Sequence, residues 1–599
     1  MDSSEQKRWI IREERGVAAL TALGRSPHHW RMSHVFDIAH RYVDEIAALD
    51  PILATDIGVP GHEREMTDYS PDGVAAIAAF NRRYVADLEA APPEDEAAGS
   101  PKAERIARNV MLERLGVHLD LFDAGEHFRD LNNIASPLQN IRQVFDQMPY
   151  TTEEEWSNVA ARLQLVPDAL SGYRRALSEG VQRATPAARR QAVEGVRQAE
   201  VWSGDEGFFA GLAARFDAAE AGPETLRTDL GRGVRLAREG YAEMSRWLRE
   251  EYAPSATERE ACGEERYQLL SRLFLGATLD LPETYRWGWD ELHRVEREMA
   301  ETARRISPGA TLDEAKQLLE TDPTRAIEGV GAYRDWLQQL HDETVASLDG
   351  VHFEIDDKIR RIEVMIPPAG GALIPYYTGP SEDFSRPGRT WWPVDGGTRF
   401  PKWGEVSIAY HEGVPGHHIQ VAGVRLLVEE LSRFQRTLTF ISGHGEGWAL
   451  YAERLMGELG YLENPDYYLG MLSAQALRCV RVIIDIGMHL ELDIPQDETF
   501  HPGEKWNHDL MLEFGVERTR RPREFLESEV LRYLGWTAQA ISYKVGERKW
   551  LEGREAARQN AGASFSLKEF HSRALALGPM GLDMLGAELG EENAPRDDP

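Results

Sequence analysis

Ala409-Tyr-His-Glu-Gly-Val-Pro-Gly-His-His-Ile-Gln420 gathers three imidazoles and a carboxylate into eight positions beside a helix breaker. In the common zinc-protease helix, His-Glu-x-x-His, an i, i+4 spacing puts two imidazoles on one face with the Glu beside them as general base. Here the spacing is longer, because His411 and Glu412 are followed by His417 at i+6 and His418 at i+7. On an undistorted helix the i+6 position points about 120° away and rises about 9 Å, too far for one ion to be shared. Pro415 lacks an amide hydrogen and its ring would meet the carbonyl of His411, so the helix has to kink or bulge there. A two-residue bulge returns His417 to the place an i+4 histidine normally holds. Single histidines are mostly surface or satisfied core residues, and the chain has 18 of them. It is His-Glu, a breaker and His-His inside one apolar-flanked run that points to a metal. His418 is nearly in phase with His411 but about 10.5 Å along the axis, so it is read as a partner behind a ligand, or a substrate contact, rather than a ligand.

A catalytic zinc needs a third protein ligand and one open position for water. Gly443-His-Gly-Glu-Gly-Trp-Ala-Leu-Tyr-Ala-Glu453 offers Glu446, after enough chain for the first helix to finish and a second to return antiparallel to it. The flanking Gly445 and Gly447 would let backbone and carboxylate approach a metal closely. Glu453, two turns on, is read as orienting a ligand histidine. His444 is the rival third ligand. A Glu near a helix start also has the plain reading of a solvated face favoured by the helix dipole.

These motifs resemble the signatures of a large, mostly bacterial family known as domain of unknown function number 885, which carries His-Glu-Gly-x-Pro-Gly-His-His and Glu-Gly-Trp-Ala-Leu-Tyr. Asp50-Pro-Ile-Leu-Ala-Thr-Asp56, Ser385-Arg-Pro-Gly388, Arg478 to His489, Ser542-Tyr-Lys-Val-Gly546 and Phe570-His571 extend the resemblance over residues 33 to 590. The family in turn resembles the helical zinc oligopeptidases and angiotensin-converting-enzyme-like peptidases, whose site lies in a deep cleft between two helical halves. Their His-Glu-Phe-Gly-His helix, aligned on the Gly-His pair, implies His417 rather than His418 as second ligand. Gly535-Trp-Thr-Ala-Gln-Ala-Ile-Ser-Tyr543 is similar to the oligopeptidases' Gly-Tyr-x-Ala-x-Tyr-Tyr-Ser-Tyr, whose last Tyr steadies the tetrahedral oxyanion, and this implies that role for Tyr543. A phenol suits the task, since it donates one hydrogen bond to developing charge without a charge of its own to desolvate. Ala540 and Ile541 depart from the pattern by replacing two aromatics.

No linker or low-complexity break divides the chain, so one large body with two lobes is expected over 33–590, with an N-terminal extension at 1–32 and an acidic tail at 591–599. The expected class is mainly α, a two-lobed helical zincin-like metallopeptidase fold with a deep central cleft and a small β-sheet near 351–375. Residues 351 to 366 switch toward period two and predict a short hairpin, followed by a loop, Pro367-Pro-Ala-Gly-Gly-Ala372, leading into the site. An exposed strand edge there could add substrate backbone as a further strand. Residues 33 to 90 read as helix, turn and helix, and Ala91 to Pro101 as an acidic surface loop.

A net charge of -32 argues against a nucleic-acid groove, and nothing approaches 18 uninterrupted apolar residues. The first residues hold no apolar run of signal-peptide length, so a cytoplasmic location is expected, with no membrane partner. Cys262 and Cys479 form no metal spacing, fit a reducing compartment, and are read as buried small side chains. Among the cations, Arg386 lies in a turn flanked by aromatics, where a loop salt bridge and substrate recognition both account for it. Arg481, Asp485 and His489 are successive i, i+4 neighbours, for which an internal ion-pair ladder and substrate recognition stay open. His571 is picked out by the resemblance, whereas sequence physics makes it an ordinary surface residue.

The reading is therefore a zinc-dependent hydrolase of short peptides or peptide-like small molecules, with His411, His417 and Glu446 on the metal, Glu412 as general base and Tyr543 at the oxyanion. Manganese, iron or cobalt would also accept these ligands. The alternatives are an amidase of a modified amino acid or small metabolite on the same site, and a non-catalytic zincin-like binding protein. Oligomeric state stays open.

Overall fold

A chain with this much alanine, leucine, glutamate and arginine, interrupted by capping residues before prolines, is built for helices. The computed structural model describes residues 34–92, 101–219, 222–367, 374–381, 383–394 and 396–591. The N-terminal extension, most of the acidic loop after Ala91, the glycine stretch 368–372 and residues 592–599 of the expected tail lie outside the described residues. The fold is mainly α, 69% helix against 4% strand, so the sheets serve as local props rather than as a framework. Helix starts follow the capping rules. Asp50 accepts from Leu53 N–H ahead of Pro51, Ser70 from Gly73 ahead of Pro71, and Thr152 and Thr311 form capping boxes with Glu155 and Glu314. Residues 33 to 90 accordingly form His34–Leu49, Pro51–Ile57 and Pro71–Ala90, with left-handed Gly58 ending the short middle helix.

The apolar side chains separate into two main cores. One is sequence-local, uniting Leu131 through Ala253 with Trp156, Phe209, Tyr241 and Trp247 among its large members; from further upstream, among the described residues, it takes buried Ile52 and the partly buried Met66 and Tyr69. The other joins the first helices, Val35 through Leu115, to residues between Tyr267 and Leu589, while Tyr333, Leu337, Val364, Trp392 and Ala409 form a small third cluster. Seven helices of the second half matter for the site: α1 (Leu281–Ile306), α2 (Val330–Leu348), α3 (Glu405–Glu412), α4 (Ser442–Glu458), α5 (Pro465–His489), α6 (Arg523–Gly535) and α7 (Ser542–Ala561). Every residue of α5 from Leu469 to His489 is buried, as expected of a helix that is packed on all sides.

Among the described residues, five short strands form two sheets. β1 (Ala326–Glu328) pairs antiparallel with β5 (Arg399–Pro401), a sheet that the sequence reading did not anticipate. β2 (Ile362–Met365), β4 (Gly388–Trp391) and β3 (Tyr376–Thr378) lie in the order β2-β4-β3, with β4 parallel to β2 and antiparallel to β3. The hairpin expected within 351–366 is corrected. Asp356 turns its side chain onto Lys358 N–H and starts a 3-10 turn, Asp357–Ile359, that breaks the extended run. Only β2 remains, and its partner comes from beyond 375. The outer edge of β2 is covered, because the Gln338 amide on α2 donates to Ile362 O (2.9 Å) and accepts from Val364 N–H (3.0 Å).

Helices α4 and α7 cross at contact distance. A Cβ at Gly546 would sit 2.1 Å from the carbonyl oxygen of Gly443, and one at Gly447 would sit 2.5 Å from the Gly546 backbone. Gly447 therefore serves this crossing rather than an approach to metal, and Gly445 faces Phe440. The crossing brings the start of α7, with Tyr543, beside the start of α4, with Glu446. Gly546→Ala should push these helices apart and lower stability by about 1 to 3 kcal/mol, the usual cost of overpacking, with a lower Tm in a melting curve. An unchanged Tm would mean that the crossing relaxes freely.

Candidate functional site

Helix α3 ends at Glu412, and the chain makes a tight turn through Gly413-Val-Pro-Gly416 with a cis Val414–Pro415 peptide before helical turns resume at His418. The expected kink is thus a full interruption. Its hydrogen bonds give the register. Gly413 N–H reaches Ala409 O in the ordinary way (2.9 Å), but Gly416 N–H reaches Tyr410 O (3.0 Å), six residues back instead of four. Two residues are extruded, so His417 stands where an i+4 residue would stand relative to His411. A side chain at position 416 is excluded, since its Cβ would fall 2.0 Å from His411 O. Trp448 Nε1 of α4 donates to Pro415 O (2.9 Å) and pins the turn to the second motif.

His411, His417 and Glu446 meet here, with one potential ligand atom from each and all of these atoms within 4.8 Å of one another. His411 Nε2 lies 3.3 Å and His417 Nε2 3.5 Å from Glu446 Oε2, and the two imidazole rings are 4.8 Å apart and nearly perpendicular. On its other side His411 Nδ1 lies 2.9 Å from Glu453 Oε1, and Ser407 Oγ donates to the second oxygen of Glu453. Glu453 therefore fixes the imidazole so that Nε2 faces the cluster, as carboxylates do behind metal-ligating histidines. His417 Nδ1 has no hydrogen-bond partner among the described residues. Two imidazoles and one carboxylate converging on a point, with a position left over, are a donor set that suits zinc with an exchangeable water.

Burial disfavours charge on His411, but Glu446 and Glu453 outweigh it and lift its pKa to about 10. Burial likewise acts to raise the Glu446 pKa, and His411 and His417 overcome it and hold that carboxyl well below the usual range. A positive charge, proton or metal, is thus what this position calls for. Glu412 is 8% exposed, and burial pushes its carboxyl upward against the opposing pull of His411 and His417. Tyr543 stacks on His411 with ring centres 6.5 Å apart, and burial followed by the Glu446 charge raises its phenol, which stays a proton donor at neutral pH. The guanidinium groups of Arg481 and Arg478 lie 4.8 and 5.7 Å from the Tyr543 ring.

The other sequence candidates stand apart from the cluster. His418 is fully buried against the sheet, its Nε2 2.5 Å from Ile359 O and its Nδ1 2.9 Å from the Tyr377 hydroxyl, and burial lowers its pKa to about 4. His444 points at Gln420 (3.0 Å). Arg386 donates to the carbonyls of Gly379 and Pro387. The ladder from Arg481 through Asp485 to His489 is not formed. Arg481 donates to Glu529 (2.6 Å) and Tyr533 on α6, while Asp485 accepts from Tyr267 (2.5 Å) and Ala538 N–H. His489 faces the Tyr533 carbonyl. Cys479 is buried, but Cys262 is only partly so. Sequence reasoning passed over Ser407 and Trp448. Ser407 lies one helical turn before His411, so its face was readable, whereas the bond of Trp448 to a turn carbonyl required the fold.

His571, expected at the surface, is fully buried. It stacks on Phe353 at 4.8 Å and lies 2.8 Å through Nε2 from the Tyr451 hydroxyl. Burial, then the Arg554 charge, lowers its pKa to about 3. An unfolded histidine takes up its proton near pH 6.5, so the native state loses stability relative to the unfolded chain as pH falls from 6.5 toward 3. His571→Gln has no such proton to bind. Its destabilisation relative to the parent should therefore shrink as pH falls through that window, read from paired melting curves; a pH-independent difference would show that His571 titrates normally.

Among solved structures, the chain is similar to a candidate lipoprotein from Colwellia psychrerythraea, with a TM-score of 0.79 and 22% identity over 94% of this chain and 99% of that one. It is also similar to a candidate lipoprotein of unknown function from Shewanella oneidensis, with a TM-score of 0.71 and 17% identity over 92% and 98%. At such identities the likeness is one of fold. Comparison with curated proteins finds no match. The family model described as bacterial protein of unknown function (DUF885) matches residues 51–589, and the chain belongs to that family.

Proposed function

We propose that this protein is a zinc-dependent hydrolase of short peptides. The observation that carries the reading is the convergence of His411, His417 and Glu446 within 4.8 Å, directly beside Glu412. The proposal includes a zincin-like, two-lobed reading of the fold, with the two hydrophobic cores as the lobes, and distant kinship to the helical zinc oligopeptidases. His411, His417 and Glu446 would hold the ion, which supplies a Lewis acid and an acidified water when bound. Glu412 takes the proton of the attacking water and returns it to the leaving amine. Its burial suits this, since a carboxyl with a raised pKa is better matched to proton transfer near neutral pH. Tyr543 donates its hydroxyl to the oxygen on which negative charge develops. Glu453 keeps His411 turned toward the cluster. A buried base beside the cluster favours catalysis over a binding-only role.

Metal analysis of the purified protein, alongside a peptide-library digest read by mass spectrometry, tests the proposal. Glu412→Gln should keep its metal while hydrolysis falls at least about a hundredfold. His417→Ala should lose the metal and His418→Ala should retain it. A fully active Glu412→Gln, or a metal-replete His417→Ala, would sink the mechanism. Tyr543→Phe should lower kcat by roughly ten- to a thousandfold with little change in KM or Tm. Unimpaired turnover would remove Tyr543 from the chemistry.

A further inference from the structure

The two main cores meet at a recess of about 270 Å³, lined by Leu131 and Ala187 of the smaller core, Leu534 of the larger, and Pro186. Its frame is backbone. Thr257 N–H reaches Ala187 O (3.3 Å) and Arg189 N–H reaches Thr257 O (2.9 Å), which ties the loop before the helix Arg189–Ser203 to the loop that runs on to Cys262. The Gln191 amide donates to Leu531 O of α6 (2.9 Å) and lies 2.5 Å from where a Cβ at Gly535 would stand, so Gly535 lets the two cores close here. Three guanidinium groups line the recess. Arg266 holds both oxygens of Glu126 at 2.8 to 3.0 Å, and Arg259, mostly exposed, holds Glu491 (2.7 Å). Glu260, the carboxylate in the lining, is taken by Arg190 (2.5 Å). Arg129 is left over. It is half-buried, its Nε stops 3.6 Å from Glu126 Oε1, and its guanidinium makes no hydrogen bond to any described residue. What it lacks is bonding rather than countercharge, since Glu126 stands opposite; Asp130, next in the chain, is engaged by Asn132 (3.4 Å). A guanidinium carries five N–H donors in a planar fork, and leaving them unmet away from bulk water is costly.

We propose that this recess is a second ligand site, which takes a small molecule with a carboxylate for Arg129 and a compact apolar body for Leu131, Pro186 and Leu534. A carboxylate matches the guanidinium fork through two parallel hydrogen bonds, whereas a neutral amide offers one acceptor oxygen and no charge. Size limits the rest. At about 30 Å³ per water the recess holds on the order of nine waters, the bulk of a single acylated amino acid, and it falls just below the roughly 300 Å³ at which drug-sized pockets begin. The site shares no residue with the His411, His417 and Glu446 cluster and does not depend on the peptidase reading. It is joined to that cluster through the chain. Gly535 closes α6, and Thr537 lies six residues before Tyr543, with Ala538 N–H after it bonded to Asp485 (3.1 Å). An occupant therefore touches both cores and the segment that leads to Tyr543.

Calorimetric titration with N-acetyl-leucine and with N-acetyl-leucine amide tests the site in the full-length parent and in four variants. The parent should bind the acid about ten- to a hundredfold more tightly than the amide, the usual worth of a charge-assisted hydrogen bond. Arg129→Gln should erase that preference and Arg129→Lys should restore part of it, with Tm close to the parent in both. His417→Ala, which breaks the metal cluster, should bind the acid as the parent does, and this separates the recess from a carboxylate held on a metal. Ala261→Leu adds bulk to the recess wall without touching Arg129 and should weaken acid and amide alike, which decides the matter if Arg129→Gln does not fold. Acid binding that is absent from the parent, no tighter than the amide, unchanged in Arg129→Gln or Ala261→Leu, or lost in His417→Ala overturns the proposal.

Discussion

One imidazole held between two carboxylates governs the site. His411 touches Glu446 through Nε2 and Glu453 through Nδ1, all three with little access to water. Burying two carboxylates is costly unless a positive charge stands between them, so each of the surrounding elements has to arrive in register. Helix α3 delivers His411 and, through Ser407, completes the bonds of Glu453. Helix α4 delivers both carboxylates, two turns apart on one face. Helix α5 adds Arg478 beside Glu453. The turn after α3 is the remaining requirement, because only by extruding two residues can the chain set His417 where it shares Glu446.

Close backbone approach is the second requirement. Tyr543 reaches the cluster because α7 crosses α4 where Gly443, Gly447 and Gly546 leave no side chains between the helices. The same helix start places Lys544 in a buried network with Glu547, Gln475 and Glu291, so the helix that presents Tyr543 is anchored by charge on its other face. Arg481 and Glu529 tie α5 to α6 beside the Tyr543 ring. Around one phenol, apolar contact and paired charge both limit movement.

The site was legible where its chemistry is local in sequence. His411, Glu412 and His417 fall within one turn-and-helix unit, and the proline with its glycines announced the interruption between them. Glu446 and Glu453 were legible as i and i+7 of one helix. What escaped the sequence depended on distant partners. Arg481 has an acid four residues away at Asp485, yet it bonds Glu529, because a separate helix packs against that face. His571 carries nothing in its own neighbourhood to forecast stacking on Phe353. The mainly α class followed from composition and capping, whereas the pairing of β2 with β4 rather than with a neighbouring strand was set by an Asx turn at Asp356.

The division into two cores has a consequence for how the chain becomes a protein. All but one of the buried members of the smaller core lie between Leu131 and Ala253, so nearly all of its contacts are short in sequence and are available as soon as that stretch has left the ribosome. The opening helices are different. Tyr42 packs on Phe434 at 5.3 Å and Arg105 bonds Glu588 at 2.6 Å, partners that are synthesised hundreds of residues later. During synthesis the opening helices can pack on one another, as Tyr42 does on Phe80 and Tyr84, but the part of their apolar faces that meets the late helices waits while the sequence-local core assembles behind them. The larger core, and the site within it, closes only when the last helices arrive. Slow steps in maturation, and sensitivity to chaperones or to truncation at the C-terminus, belong to that late closure.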